Sequence, residues 1–381
     1  MNKIDFNNLL DNYDTNLLDN LRGFGNEEEF LKFYVPGTSL ITSFYNLIDA
    51  LIEAQQLEFI ISYKKKYPKS KIVIISSEYN YEYIKNFNFI NKIISLKSKK
   101  KFYSKLIYLI TLILSLRKNK YERIIILDGK KRSFFVSMFL KGKKFVLLQS
   151  SGLKFLSKII NYNYVINYEI QQQYKNIVFL ANKIGFNIND KEINIYKNYN
   201  FSSRYKIKDN NLLIHLDEKW FKKYYYFDYT DLNPKKASLD TFINKILSAT
   251  NYKFDLTITT GSKKLELFDT FLIGFNKIND NFYQKKISNI TLNFIKNTSF
   301  NELETIIKNS SLLICCEGGV SHVSHNLNIK TIAFYQYNRL QHTNFWTGHM
   351  SKLDLYPRKL MEEINLDKNF FDLIERKLSI K

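Results

Sequence analysis

From Glu29 onward, short runs of β-branched and aromatic residues alternate with longer stretches whose apolar positions recur every three or four residues. A parallel sheet joined by crossover helices produces that alternation. Phe30–Val35 predicts a strand, Gly37–Ser39 a turn, and Ser43–Tyr67 a helix stopped by Pro68. Lys71–Ser76 and Phe89–Ser95 predict two further strands, with a strongly apolar helix over Leu106–Leu116 behind them. The strand Arg123–Leu127 runs into Asp128-Gly129-Lys130-Lys131-Arg132. A helix over Ser133–Leu140, a strand over Lys144–Gln149 and a helix over Tyr168–Gly185 follow, the last capped by its glycine.

Asn187–Asp209 breaks the pattern. It is polar, aperiodic and rich in Asn and Lys, as a boundary between domains should be. A second series then begins: strand Asn211–Leu216, helix Ser238–Thr250, strand Asp255–Thr260 and helix Leu265–Phe275. After it come helix Asn301–Lys308, strand Ser311–Cys316, helix Val320–Leu327 and strand Thr331–Tyr335. The expected fold class is α/β, with two Rossmann-like doubly wound domains, residues 1–205 and 211–358, facing a central cleft. The amphipathic C-terminal helix at about 360–381 could pack back on the first domain. Sheets of this kind bind ligands beyond the carboxyl ends of their strands.

Composition adjusts this picture in three places. A net charge of +21 points to a polyanionic partner, and an anionic membrane or glycolipid fits better than nucleic acid. Lys supplies nearly all of it, Arg is the better shape for bidentate readout of bases, and the lysines are spread along the chain. The two cysteines, Cys315 and Cys316, are neighbours and cannot build a disulfide framework. With no signal-peptide core near the start, the expected location is the cytoplasm, peripheral to the inner membrane. Leu106–Leu116 is too short for a membrane span of roughly 20 residues. It suits a buried helix or, with Lys97–Lys101 ahead and Arg117–Lys120 behind, a helix lying in the bilayer interface.

The sharpest chemistry lies in L-L-I-C-C-E-G-G-V-S-H-V-S-H-N-L, from Leu312. A buried strand ends at Glu317, Gly318 and Gly319 permit a tight turn, and a helix begins near Val320. Free amides and the positive end of the helix dipole then face the mouth of the sheet, which is a seat for a pyrophosphate. Glu317 is placed to hold sugar or ribose hydroxyls. A plain strand–turn–helix connection would show the same residues. His322 and His325, three apart, could also suit a metal, but no third ligand has matching spacing. No metal and no cofactor is expected.

This segment resembles the D-T-G-x-x-H signature of glycosyltransferase family 9, the bacterial heptosyltransferase family of lipopolysaccharide synthesis. Glu317 stands at the Asp and Gly318 at the Thr, while Gly319 and His322 match. Tyr121–Arg132, Leu180–Phe186 and His215–Trp220 are similar to further family stretches in the same order, so the resemblance covers most of Phe30–Tyr335. It implies a GT-B fold, a nucleotide-diphosphate sugar donor in the second domain, an acceptor in the first, and inversion at the anomeric carbon without a metal. Donor contacts are then expected from Lys219, Glu317, Gly318, Gly319, Val320, Ser321, His322, Tyr335 and Gln336, and acceptor contacts from Gly37, Lys130, Lys131 and Arg132.

The sequence departs from the family at the general base. Where the family has Asp in the first strand–helix turn, this chain has Thr38, whose hydroxyl is no base at neutral pH. Asp128 is the substitute favoured by position, with Asp217 and Glu218 as further carboxylates; Asp128 could equally cap the Gly129 turn. The partners implied are a nucleotide sugar and an anionic glycolipid or glycan of the lipopolysaccharide or lipooligosaccharide type. Two other readings share these residues. One is an enzyme similar to the nucleotide-sugar 2-epimerases, whose strand-tip motif also pairs an acid with glycines. The other is a sugar-nucleotide-binding module that has lost catalysis.

Overall fold

The computed structural model describes residues 58–77, 81, 84–85, 87–96, 102–127, 131–148, 164–167, 173–188, 205, 207–208, 210–221, 236–261, 266–336, 340–358 and 368–379. The turn carrying Gly37 and Thr38, the strand expected at Phe30–Val35, and Asp128 and Lys130 lie outside these residues. So do the side chains of Lys131, Arg132, Glu218 and Gln336. The chain divides into two compact units, Met1–Asp190 and Lys191–Lys381.

In the first unit, β1 (Val73–Ser77) and β2 (Lys92–Leu96) pair in parallel. A second parallel sheet runs β3 (Arg123–Ile126), β4 (Lys143–Leu148), β5 (Tyr164–Asn167). Alternation along these strands sends side chains to two cores. Leu127, Phe145 and Leu147 pack with Phe59 of the helix at 58–66 and with Ile177, Leu180 and Ile184 of the helix Gln173–Ile184. Ile124 faces the other way, onto Leu112, Ile113 and Leu116 of the helix Phe102–Arg117 and onto Val136 and Leu140. Gly185 ends its helix at φ +101, a conformation only glycine adopts cheaply, and its N–H donates to the Ala181 carbonyl. The strand β5 is absent from the sequence reading, because four residues carry too little periodicity to stand out.

The second unit is built on one eight-stranded sheet. Its strands are β6 (Asn211–Leu216), β7 (Asp255–Thr260), β8 (Asn276–Lys277), β9 (Phe282–Ile287), β10 (Ile290–Ile295), β11 (Leu312–Cys316), β12 (Thr331–Gln336) and β13 (Leu353–Arg358). They lie in the order β13-β12-β11-β6-β7-β10-β9-β8, parallel from β13 to β10 and antiparallel at β9 and β8. The chain starts in the middle, extends to one side, and returns to build the other, so the order reverses between β6 and β11. On one face, Leu212, Ile214, Leu216, Ile314 and Phe334 pack against the helices Lys236–Ala249, Glu266–Phe271 and Lys368–Ser379. On the other, Leu213, Leu313 and Ala333 pack against Phe300–Lys308 and Gly319–Asn326. Cys316 belongs to the first core and Cys315 to the second, and both thiols are free.

The C-terminal helix buries Phe370, Leu373 and Ile374 in this unit's own core, with Phe370 against Phe334 and Tyr356. That corrects the first domain as its destination: the apolar face of the helix is used here. The hairpin β9–β10, the strand β13 and the helix Leu340–Thr347 were not foreseen either. β9 (F-Y-Q-K-K-I) is a partly exposed strand beside the sheet's edge, so it lacks the apolar run that marks a buried strand. Its two-residue connection to β10 carries no glycine, and Ser288 takes φ +54 instead. A buried polar chain locks the register of four strands. Thr257 Oγ1 donates to Asn211 Oδ1 at 2.7 Å and accepts from Asn293 Nδ2 at 3.2 Å, and Gln284 Nε2 donates to Asn293 Oδ1 at 2.8 Å.

Candidate functional site

The reversal of strand order places two strand tips side by side. β6 pairs with β11 in parallel, with His215 opposite Cys315, so Asp217 and Glu317 follow adjacent carboxyl ends. The connection after β6 leads to one face of the sheet and the connection after β11 to the other. A crevice at such a point is where doubly wound sheets take their ligands.

After β6 the chain makes a single turn of 3-10 helix, Glu218–Phe221. Two contacts fix it. Asp217 Oδ1 accepts from the Lys219 backbone N–H at 3.1 Å, as an N-cap does. Trp220 Nε1 donates to the His215 carbonyl at 2.7 Å, and its ring lies 5.6 Å from Phe242 and 4.9 Å from Phe334. With Trp220 wedged into the core, Lys219 is turned back over the sheet. Its side chain is 4 % exposed, and Nζ donates to the Glu317 carbonyl at 2.8 Å and lies 4.0 Å from Asp217 Oδ2. A buried ammonium requires such partners.

After β11, the Glu317 N–H donates to the Phe334 carbonyl at 2.8 Å, and Gly318 turns the chain at φ +153, ψ −162. Ser321 closes this turn: Oγ donates to the Gly318 carbonyl at 2.7 Å and accepts from the Gly318 N–H at 3.2 Å. The first amides of the helix, those of Gly319 and Val320, have no hydrogen-bond partner among the described residues. Both residues are half-buried, and their N–H groups carry the positive end of the helix dipole. Two amides, a helix N-terminus and a fixed ammonium make a seat for an anion with several oxygens.

The other expected donor residues fall into two groups. The Glu317 side chain is buried at the strand tip, and Tyr335 is buried near the end of β12, the strand beside β11. Ser321 and His322 are also buried, at 0 and 1 % exposure. Ser321 serves the turn, and His322 lies inside the helix packing. Their expected contact with the donor is therefore narrowed to the backbone in front of them. Burial pushes the His322 imidazole well below its usual pKa, aided by His349, His325 and Lys219, so the ring is neutral; its Nε2 has no hydrogen-bond partner among the described residues. The His325 and His349 rings stand edge to face, 5.1 Å apart. Among the described residues no group of three His, Cys, Asp or Glu could hold a metal ion. His215 is a core residue of β6, with Nδ1 3.0 Å from Thr259 Oγ1.

Asp217, a candidate base in the sequence, caps the turn that presents Lys219; an acid two residues before a lysine at a strand end is the available signal. A second acid, Glu304, carries no motif. It is buried in the helix beside Gly319–Asn326, and burial pushes its carboxyl up to about 7 against the pull of Lys308.

No family model matches this sequence, and no curated protein matches it. Solved structures do match. The E. coli heptosyltransferase WaaC with ADP-2-deoxy-2-fluoro heptose is 11 % identical at a TM-score of 0.60, over 86 % of this chain and 96 % of that one. A glycosyltransferase of family 9 from Veillonella parvula is 12 % identical at 0.52, over 81 % and 83 %. The UDP-GlcNAc 2-epimerase of Methanocaldococcus jannaschii is 15 % identical at 0.50, over 86 % and 90 %. At such identities the likeness is one of fold, and the chain has the GT-B fold that the heptosyltransferases share with these epimerases.

Proposed function

We propose that this chain is an inverting, metal-independent glycosyltransferase. It moves a heptose or similar sugar from a nucleotide-diphosphate donor to a surface glycan acceptor of the lipopolysaccharide or lipooligosaccharide type. The observation that carries this reading is the pair of amides at Gly319 and Val320, without a hydrogen-bond partner among the described residues, beside the Lys219 ammonium. Cleavage of the anomeric C–O bond sends its electron pair to the leaving diphosphate, and fixed donors aimed at that growing charge lower the barrier. The amides and Lys219 supply that stabilisation from the protein alone. Glu317 is the proposed acceptor of hydrogen bonds from sugar or ribose hydroxyls.

The acceptor hydroxyl must lose its proton as it attacks, and a carboxylate is the usual recipient. Asp128 is the proposed base, with Gly37, Lys130, Lys131 and Arg132 toward the acceptor. An anionic glycolipid at the inner face of the membrane suits the net charge of +21. A second reading, an epimerase of the UDP-GlcNAc 2-epimerase kind, is favoured by Glu317 with paired glycines and by the shared fold.

Thermal shift of the full chain against ADP- and UDP-linked sugars tests the donor site. A ligand at 100 times its dissociation constant adds about 2.7 kcal/mol of stability. Stabilisation by neither class removes the transferase and the epimerase together. Epimerisation of free UDP-GlcNAc without an acceptor selects the second reading.

A further inference from the structure

The helix Phe102–Arg117 is apolar on two sides, and among the described residues only one is packed. Leu112, Ile113 and Leu116 are buried against Val136 and Leu140. On the opposite side Ile107, Ile110 and Leu114 are 65, 49 and 56 % exposed. Positions three and four apart share a helical face, so these three side chains form one stripe. Thr111 lies within that stripe, and its Oγ1 donates to the Ile107 carbonyl at 2.9 Å. Its hydroxyl is thus satisfied inside the helix, and the whole stripe can leave water without stranding a polar group.

We propose that Ile107, Ile110 and Leu114 are a docking face for an anionic phospholipid bilayer, on which this helix lies flat. Charge selects the occupant. Arg117, Lys118 and Lys120 are exposed at the end of the helix, and Lys97, Lys99, Lys100 and Lys101 precede it in the chain. Exposed cations at the end of an apolar stripe meet lipid phosphates at headgroup depth while the stripe enters the acyl boundary. At 16 residues the helix is about 24 Å long, and among the described residues no helix is long and apolar enough to cross a membrane. The inference deepens the reading of a lipid-borne acceptor above and rests on it for its purpose.

Co-sedimentation of the full chain with vesicles of equal parts phosphatidylethanolamine and phosphatidylglycerol, against vesicles of phosphatidylcholine alone, tests it. The unaltered chain is expected to bind the anionic vesicles only, and Ile110→Asp/Leu114→Asp to weaken that binding at least ~tenfold. Equal binding by the double variant, or no binding by the unaltered chain, overturns the proposal. So does a fall in native mass of the double variant without vesicles, which would make a second copy the occupant. Should the double variant not fold, Leu114→Trp reports instead: both native tryptophans are buried, so a blue shift confined to anionic vesicles supports docking and an unchanged spectrum refutes it. Thermal shift by nucleotide sugars on the same samples reads the donor site separately, so failure of one does not pass for failure of the other.

Discussion

The ammonium of Lys219 rests against Gly318 so closely that a Cβ at Gly318 would collide with Nζ. The two residues are far apart in sequence and meet because β6 and β11 are neighbours. Gly318 also holds φ +153, a region open essentially to glycine. The position where the resembling family carries Thr is thus occupied by a glycine for two independent reasons, and the lysine fills the space a side chain would take.

Gly318→Ala should therefore cost stability and binding at once. Backbone strain of this kind costs about 1–3 kcal/mol, and displacement of Lys219 adds to it. Chemical denaturation with and without an ADP-linked sugar measures both. A variant with unchanged stability would show that the turn relaxes freely.

Lys219→Met keeps the length and apolar stem of the side chain while removing its charge. The fold should survive, since Trp220 and Asp217 hold the turn. Affinity for a nucleotide diphosphate, read by calorimetry, should fall at least ~tenfold, as loss of a charge-assisted hydrogen bond predicts. Undiminished affinity would place the anion elsewhere.

Acid and base act on this unit in opposite senses. The buried Glu304 carboxyl is raised from 4.5 to about 7. Its contribution is full below the unfolded value and is lost as pH rises through about 7. The imidazoles of His322 and His349 are depressed by burial, His349 to about 3. Their contribution is full above 6.5 and is lost as pH falls. Between about pH 5 and 6.5 two histidines oppose one carboxyl, so stability should rise with pH. Glu304→Gln should make that slope steeper and raise the melting midpoint at about pH 8, where the ionised carboxyl is costly. Melting curves across the range decide it; equal slopes in both proteins would refute the assignment.

Thr257→Val breaks the polar chain between Asn211 and Asn293 while keeping the side-chain volume. Asn211 Oδ1 and Asn293 Nδ2, both buried, each lose one partner, so the second unit should lose about 2–4 kcal/mol. Thr259→Val, in which only His215 Nδ1 loses a partner, should cost less. Denaturation midpoints compare the two directly.

Pattern alone carried a good deal of this. In strands such as Asn211–Leu216 and Asp255–Thr260 apolar and β-branched residues predominate, because a parallel strand is buried on both faces. The Glu-Gly-Gly turn was legible because glycines between a buried strand and a helix permit the tight turn that such a connection needs. Half-exposed strands such as β9 were not, since their side chains answer to neighbours that only the assembled sheet supplies.

What the chain by itself determined, then, is the alternation of elements, the turn after β11 and the amides it frees, for these follow from local periodicity and backbone sterics. What tertiary structure decided is which side chains stand beside those amides. Strand order brought Lys219 to Gly318, and helix packing withdrew Ser321 and His322 from the surface. The same packing drew Phe370 into the second core and left Ile107, Ile110 and Leu114 uncovered. These outcomes depend on contacts between residues distant in sequence, whose free energy exists only once the sheets have formed.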